Sequence, residues 1–437
     1  MKQWYKTFSN WFAAVFCKLR YCLLIGILLT GGTILGQDLN FAKEQVKLLT
    51  SPEFHGRGYV NKGDEIAGQY VANEFLKFNL SKFGDNYCQP YQFKVNTFPG
   101  KMSVEIDGKA LVPGMDFLVY PPSSGISGNF DIETLDSTIF KPGFRMADLF
   151  KTDHSHSFIL LDTIGWNKDK TRKQLFDLVY MNMVKAAGVM LLTDKDMIHS
   201  VSQYSLPFCS LIIKRSSISK SSKFIKVKIQ SKEIEHKAFN VIGYIPGKID
   251  SFLVITAHYD HLGMMGKDTY FPGANDNASG TAMLLDFVRS YSTSGTKPKY
   301  SIAFMSFSGE EVGLLGSAYY TEHPLFPLSK IKMLVNLDMV GSGSGGVTVF
   351  NGSTYPREFA KLDSLNKSLN LNISLKTKGL SKASDHYLFH IKKVPVLFIN
   401  TGGKEVGYHV VGDNYETLPF TVYENLFKLI DAYLKTF

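Results

Sequence analysis

The sequence predicts an α/β protein: a mostly parallel central sheet flanked by helices, with a small β-rich unit inserted into it. Three observations point there. From Lys237 onward, apolar strand runs alternate with helical patterns at the spacing of crossover connections. Between Asp107 and His236 the texture changes to short apolar runs separated by turn clusters such as PPSSGISGN. His, Asp and Glu residues sit at or just past the ends of the later apolar runs, where sheets of this class gather their ligands.

The 437 residues allow one large domain and a smaller one, and 44% hydrophobic with 20% charged residues is ordinary for a globular chain. The net charge of +9 includes Lys2, Lys6, Lys18 and Arg20, all within an N-terminal stretch that contains no acid. The rest carries a mild excess without a basic block, so a solvated surface accounts for it and nucleic acid is not an expected partner.

Element by element, residues 1–36 read as a targeting segment, with a basic, aromatic stretch to Arg20 and then the short, glycine-interrupted apolar run Tyr21–Gly36. Cleavage near Gly36 and export to the periplasm or medium are expected, with no stable membrane span afterwards; an uncleaved anchor is the alternative. Of the four cysteines, Cys17 and Cys22 lie in this segment. Cys88 and Cys209 could pair in an exported chain or remain as two buried thiols.

Residues 37–106 form the first part of the main domain. Apolar Ile66, Ala67, Tyr70, Val71, Phe75 and Leu76 mark an amphipathic helix, and YQFKVNTF and MSVEI mark two strands split at Pro-Gly. Residues 107–236 form the inserted unit, with strands SFILL, GVMLL, SLIIK and FIKVKI and one helical pattern from Arg172 to Ala187. It carries no ligand-like cluster, and His154 and His156 read as solvated loop residues. Residues 237–437 supply the alternating part: strands Phe252–Ala257, Ser301–Phe307, Lys332–Leu337 and Val394–Asn400, and helices Thr281–Ser292, Tyr355–Leu369 and Tyr423–Leu434, with another after Glu311. Ser279 is placed to cap the helix that follows it.

The chemistry concentrates between Phe252 and Ser317. His258 and Asp260 follow one apolar run, Asp276 sits in a Gly-rich loop, and Glu310 and Glu311 follow the next run. Asp338 and His409 come later. Two His, two Asp and a Glu suit two Zn²⁺ sharing one carboxylate, leaving a second Glu free as a base. Adjacent Glu310 and Glu311 repel each other, which a cation between them would relieve. Asp260, two residues beyond His258 on an extended segment, could accept from the second nitrogen of that ring. His261 reads as a loop residue.

AHYDH (257–261), GANDNASG (273–280), SGEEVGLLGS (308–317), NLDMVG (336–341), SDHYLF (384–389) and YH (408–409) occur in this order, and LTSPEFHGRG precedes them near residue 49. In these motifs the chain resembles the co-catalytic di-zinc aminopeptidases, a family that includes secreted leucyl aminopeptidases, glutamate carboxypeptidases and, more distantly, glutaminyl cyclases. The resemblance implies the zinc exopeptidase fold and a hydrolase acting on peptides. It implies Asp276 as the bridging carboxylate, followed by a cis peptide to Asn277. By the same resemblance His258 and Asp338 complete the first zinc site, and Glu311 and His409 the second. Glu310 is then the general base, the Tyr408 hydroxyl steadies the oxyanion, and Asp385 and His386 are scaffold. The insert resembles a protease-associated domain, on AAGVMLL and its placement, and is expected to wall the cleft.

The chain departs from the family around Lys404, Glu405 and Gly407, where relatives carry a His and an Asp before the YH pair, and at Lys382 and Ala383, where some carry an arginine. The reading expected first is an exported zinc-dependent aminopeptidase; the alternatives are a carboxypeptidase or dipeptidase, a glutaminyl cyclase on the same scaffold, and a non-catalytic receptor-like relative. The oligomeric state is not legible.

Overall fold

The computed structural model describes residues 36–140, 146–164, 166, 170–219, 221–404 and 407–437. The expected targeting segment, with Cys17 and Cys22, lies outside the described residues. Among the described residues no helix is long and apolar enough to cross a membrane.

Among the described residues sixteen strands, here numbered in chain order, form two eight-stranded sheets. The central sheet runs β1-β10-β12-β11-β13-β16-β14-β15. Its middle is parallel: β12 (Tyr300–Phe307), β11 (Ile249–His258), β13 (Ile331–Leu337) and β16 (Val396–Gly402) pair in that order. These strands read as continuous apolar runs because both faces are covered. Val254, Ile255, Phe304, Leu334 and Leu397 are fully buried. Antiparallel strands flank the parallel middle, β10 (Lys232–Ile245) and β1 (Cys88–Thr97) on one side and β14 (Gly346–Phe350) on the other, with the short β15 (Leu375–Thr377) parallel to β14 at the edge.

The helix Ser279–Thr293 lies on one face, where Leu284, Phe287 and Val288 join the main core with Phe427 and Ile430 of the helix Tyr423–Leu434. Ser279 is not the cap. It is the first helical residue, and its hydroxyl donates to the Asn275 carbonyl and accepts from the Val340 amide, tying two loops together.

The second sheet runs β3-β2-β9-β5-β6-β7-β8-β4. It comprises β2 (Ser103–Ile106), β3 (Lys109–Ala110), β4 (Phe117–Val119), β5 (Ile126–Leu135), β6 (Ser157–Leu161), β7 (Gly188–Thr193), β8 (Cys209–Lys214) and β9 (Phe224–Ile229). Ser103–Ile106 thus pairs into this sheet rather than the central one. The helix before β7, Lys170–Tyr180, stops short of the expected Ala187. His154 is buried, not solvated: its ring bonds to Glu133 at 2.9 Å and to the Leu149 carbonyl at 2.8 Å. Cys88 and Cys209 are free thiols, and burial pushes the Cys209 thiol up to about 12.

Candidate metal centre

Four loops meet at the carboxyl ends of the parallel strands. His258 is the last residue of β11, Asp338 follows β13 directly, and Glu310 and Glu311 follow β12 after Ser308-Gly309. Asp276 lies in the loop between β11 and its helix, and a cis peptide joins it to Asn277 as the resemblance implies. His409 arrives from the loop after β16 with a left-handed backbone, φ +56°.

Each loop is held by buried polar side chains. Asn277 donates to the Leu337 carbonyl and accepts from the Gly280 and Met339 amides, locking the Asp276 loop to the Asp338 loop. Gly280 is required there, since a Cβ would stand 2.5 Å from the Leu337 carbonyl oxygen. Thr281 donates to the His258 carbonyl. The Asp260 carboxylate accepts from the Glu310 amide at 3.2 Å and from the Tyr59 phenol at 2.8 Å, so it joins the His258 and Glu310–Glu311 segments. Its relation to His258 differs from expectation. The ring's Nδ1 lies 3.2 Å from the Asp260 carbonyl, while the carboxylate oxygen stands at 3.6 Å.

The five ligand candidates converge. Asp276 Oδ1 is 3.3 Å from His258 Nε2, which is 3.5 Å from Asp338 Oδ1. Asp276 Oδ2 is 3.1 Å from His409 Nε2, which is 3.1 Å from Glu311 Oε2. One carboxylate thus faces two separate donor sets, one with each oxygen. Atoms about 2.0–2.1 Å from one ion at tetrahedral angles stand about 3.3 Å apart, so both sets have the spacing that Zn²⁺ requires. His258 Nε2 is also buried with no hydrogen-bond partner, as expected of an atom reserved for a metal. Glu310 groups with His258 and Asp338, and His261 groups with Asp276, Glu311 and His409.

The electrostatics point the same way. Burial would lower the His258 imidazole, but Glu310 and Asp338 raise it well above its ordinary range. His409 is likewise raised against burial, to about 11, chiefly by Glu311. Burial works against the charged forms of Asp276 and Glu311, yet the imidazoles hold Asp276 well below the carboxylate range and Glu311 down at about 2. Glu310 is pushed well above its usual range, first by burial and then by Glu311 and Asp338. Buried acids outnumber their basic partners, an imbalance that bound cations correct.

Four residues that organise the site were not legible beforehand. His261 is no free loop residue: it is fully buried and its Nδ1 lies 2.6 Å from Glu311 Oε1. Asp413 accepts from the Asn275 and Asp276 amides, fixing the bridging loop, and burial raises its carboxyl to about 6. Arg57, in the HGRG motif, is fully buried and donates to carbonyls of Tyr259, Leu49, Pro272 and Gly273. His199, from the unit read as free of ligand-like clusters, bonds to His409. Spacing alone gives no signal for it, because it comes from the second sheet. Asp385 and His386 are buried behind the site, with Asp385 accepting from Ser317 at 2.5 Å.

A cavity of about 190 Å³ opens beside Asp276, Glu310, Asp338 and His409. Met339, Phe350, Ala383 and Phe398 give it an apolar wall. Tyr408 lines it too, half exposed, with its ring stacked on His409 at 3.8 Å. A larger cavity of about 1010 Å³ lies elsewhere, against Phe54, Tyr70, Tyr91 and Phe239. None of the ligand candidates lines it, so chemistry and not size selects the smaller one.

A sequence profile described as Peptidase family M28 matches residues 240–434. Leupeptin-inactivating enzyme 1 of Streptomyces exfoliatus is 31% identical over 160 residues, 36% of this chain and 34% of that protein. Aminopeptidase YwaD of Bacillus subtilis is 38% identical over 96 residues, 22% of this chain and 19% of that protein. The matched stretches therefore span about a third or less of these curated relatives. Among solved structures, BSAP, a zinc aminopeptidase from Bacillus subtilis, superimposes with a TM-score of 0.66 at 18% identity, covering 92% of this chain and 95% of that one. A peptidase M28 precursor from Shewanella amazonensis gives 0.64 at 15% identity, covering 92% of each. These two likenesses extend across both sheets and concern the fold.

Proposed function

We propose that the chain, whose residues 240–434 match the Peptidase family M28 profile, is a metallo-aminopeptidase with two zinc ions, removing N-terminal residues from peptides. The observation that carries this reading is Asp276, whose two oxygens face two complete donor sets, His258 with Asp338 and His409 with Glu311. When bound, such a pair of ions supplies Lewis acidity and a water acidified toward neutrality.

The chain's own residues do the rest. Glu310, at the cavity and made a stronger base by burial, takes a proton from the attacking water as a carboxylate and passes it to the leaving amine. Asp260 holds the Glu310 and Glu311 amides and keeps the two glutamates in register with His258. Tyr408, at the cavity's edge, offers its hydroxyl to the developing oxyanion. The apolar wall of Met339, Phe350 and Phe398 receives an apolar first side chain.

Direction of attack follows from charge. Glu310 and Asp338 offer a free α-ammonium an anionic seat. Among the described residues no lysine or arginine lines the cavity to grip a terminal carboxylate. The basic and then apolar segment 1–36 supports export.

A panel of peptides with free or acetylated N-termini and free or amidated C-termini, read by mass spectrometry, tests this. Acetylation is expected to abolish cleavage while amidation matters little. The reverse pattern would replace the aminopeptidase reading with a carboxypeptidase on the same centre.

A further inference from the structure

The second sheet supplies none of the five ligand candidates, yet a strap between β7 and β8 reaches the centre. At His199 the contact is reciprocal. Its amide donates to the His409 carbonyl at 2.9 Å, and its carbonyl lies 3.1 Å from His409 Nδ1. The second contact fixes the tautomer: with its proton on Nδ1, His409 keeps the Nε2 lone pair for Asp276's neighbour position. The first contact supports a histidine backbone at φ +56°, a conformation that needs outside help.

Four residues on, Gln203 donates from its side-chain amide to the Val312 carbonyl at 2.9 Å, one residue past Glu311. Between them Val201 packs against the apolar cluster containing Val312, Tyr59 and Phe93. The strap is anchored at both sides. The His199 ring is buried and stacked on Phe271 at 4.7 Å and 13°. The Ser202 carbonyl accepts from the Asn96 amide of β1 at 2.8 Å.

The distribution of these bonds is selective. They support His409 and the Glu311 turn, the two ligands that share Asp276 Oδ2. None of them goes to His258 or Asp338, which share Oδ1. We infer that the strap His199–Gln203 is a positioning element that sets the affinity of the second metal position and leaves the first alone. The unit built on the second sheet is then part of the metal centre. This rests on the two-metal reading above.

The test is calorimetric titration of the metal-free full chain with Zn²⁺, comparing wild type with His199→Ala, His199→Phe and Gln203→Ala. Wild type is expected to show two binding events. His199→Ala keeps the backbone contacts to His409 but removes the ring that anchors the strap on Phe271, and Gln203→Ala removes the bond to Val312, so each should weaken the second event by about 10-fold or more through loss of ligand orientation. The first event should be unchanged, and His199→Phe, which keeps the ring stacked on Phe271, should restore the second. Gln203 is exposed, so Gln203→Ala carries the test if His199→Ala does not fold. A second event unchanged in the alanine variants overturns the inference, as does parallel weakening of both events. A single event in wild type overturns the two-metal reading and the inference with it.

Discussion

Removing one carboxylate separates base from ligand at the residue scale. Glu310→Ala is expected to retain both metals and its fold while turnover falls by about 10²-fold or more, the loss typical of a general base. Glu311→Ala is expected to lose metal instead, because its Oε2 faces His409 Nε2 at 3.1 Å. Near-normal turnover in Glu310→Ala, with metal content measured on the same sample, would reverse the two assignments. Protonation gives a second handle. In the metal-free site, carboxylates hold His258 and His409 toward their charged forms, His409 with a pKa of about 11. Both rings must give up that proton to bind zinc, so metal affinity falls as pH falls. Zinc binding at neutral pH should release protons, those of the two imidazoles at least. Calorimetry in buffers of different ionisation enthalpy measures this, and no proton release would contradict the ligand set.

The residues legible in the sequence were those with chemistry at a strand end. His258, Glu310, Glu311 and Asp338 each follow an apolar run, so fold and function gave the same signal. His261 was read as loop because its partner, Glu311, is distant in sequence and only the β11–β12 pairing brings them together. Asp413 escaped for the same reason: it acts on backbone amides of Asn275 and Asp276, and nothing local marks such a target.

At the element scale, the parallel strands were readable and their caps were not. Ser279 has the right residue type for an N-cap, but its hydroxyl is already committed to Asn275 and Val340. The β10 strand begins at Lys232, ahead of its apolar run, because Thr97 pairs with Lys232, a register that hydropathy does not encode. Arg57 is the element-scale counterpart of these side-chain ties. Its planar fork joins the Leu49 helix end, the Tyr259 segment, the Pro272–Gly273 turn and Asp276 through five carbonyls. Burial lowers the guanidinium only to about 10, so it stays charged at neutral pH. Arg57→Met strands those carbonyls in the core and is expected to cost on the order of 3 kcal/mol or more. Arg57→Lys should recover only part, because an ammonium cannot span the fork. Urea unfolding midpoints check both, and a wild-type midpoint for Arg57→Met would show that the loops hold without it.

At the scale of the whole molecule, the change of texture near residue 107 announced a second unit but not where it docks. The second sheet claims Ser103–Ile106, and its strap at His199 touches the metal centre, contacts that depend on how two sheets meet. The proposed zinc pair at Asp276 lies where both sheets reach. Its most direct test strips the protein with a chelator, then follows peptide hydrolysis as Zn²⁺ is added back in known equivalents. Activity is expected to rise to a plateau at about two equivalents per chain, with about two zinc ions recovered by elemental analysis. Full activity at one equivalent, with no gain from a second, would contradict it.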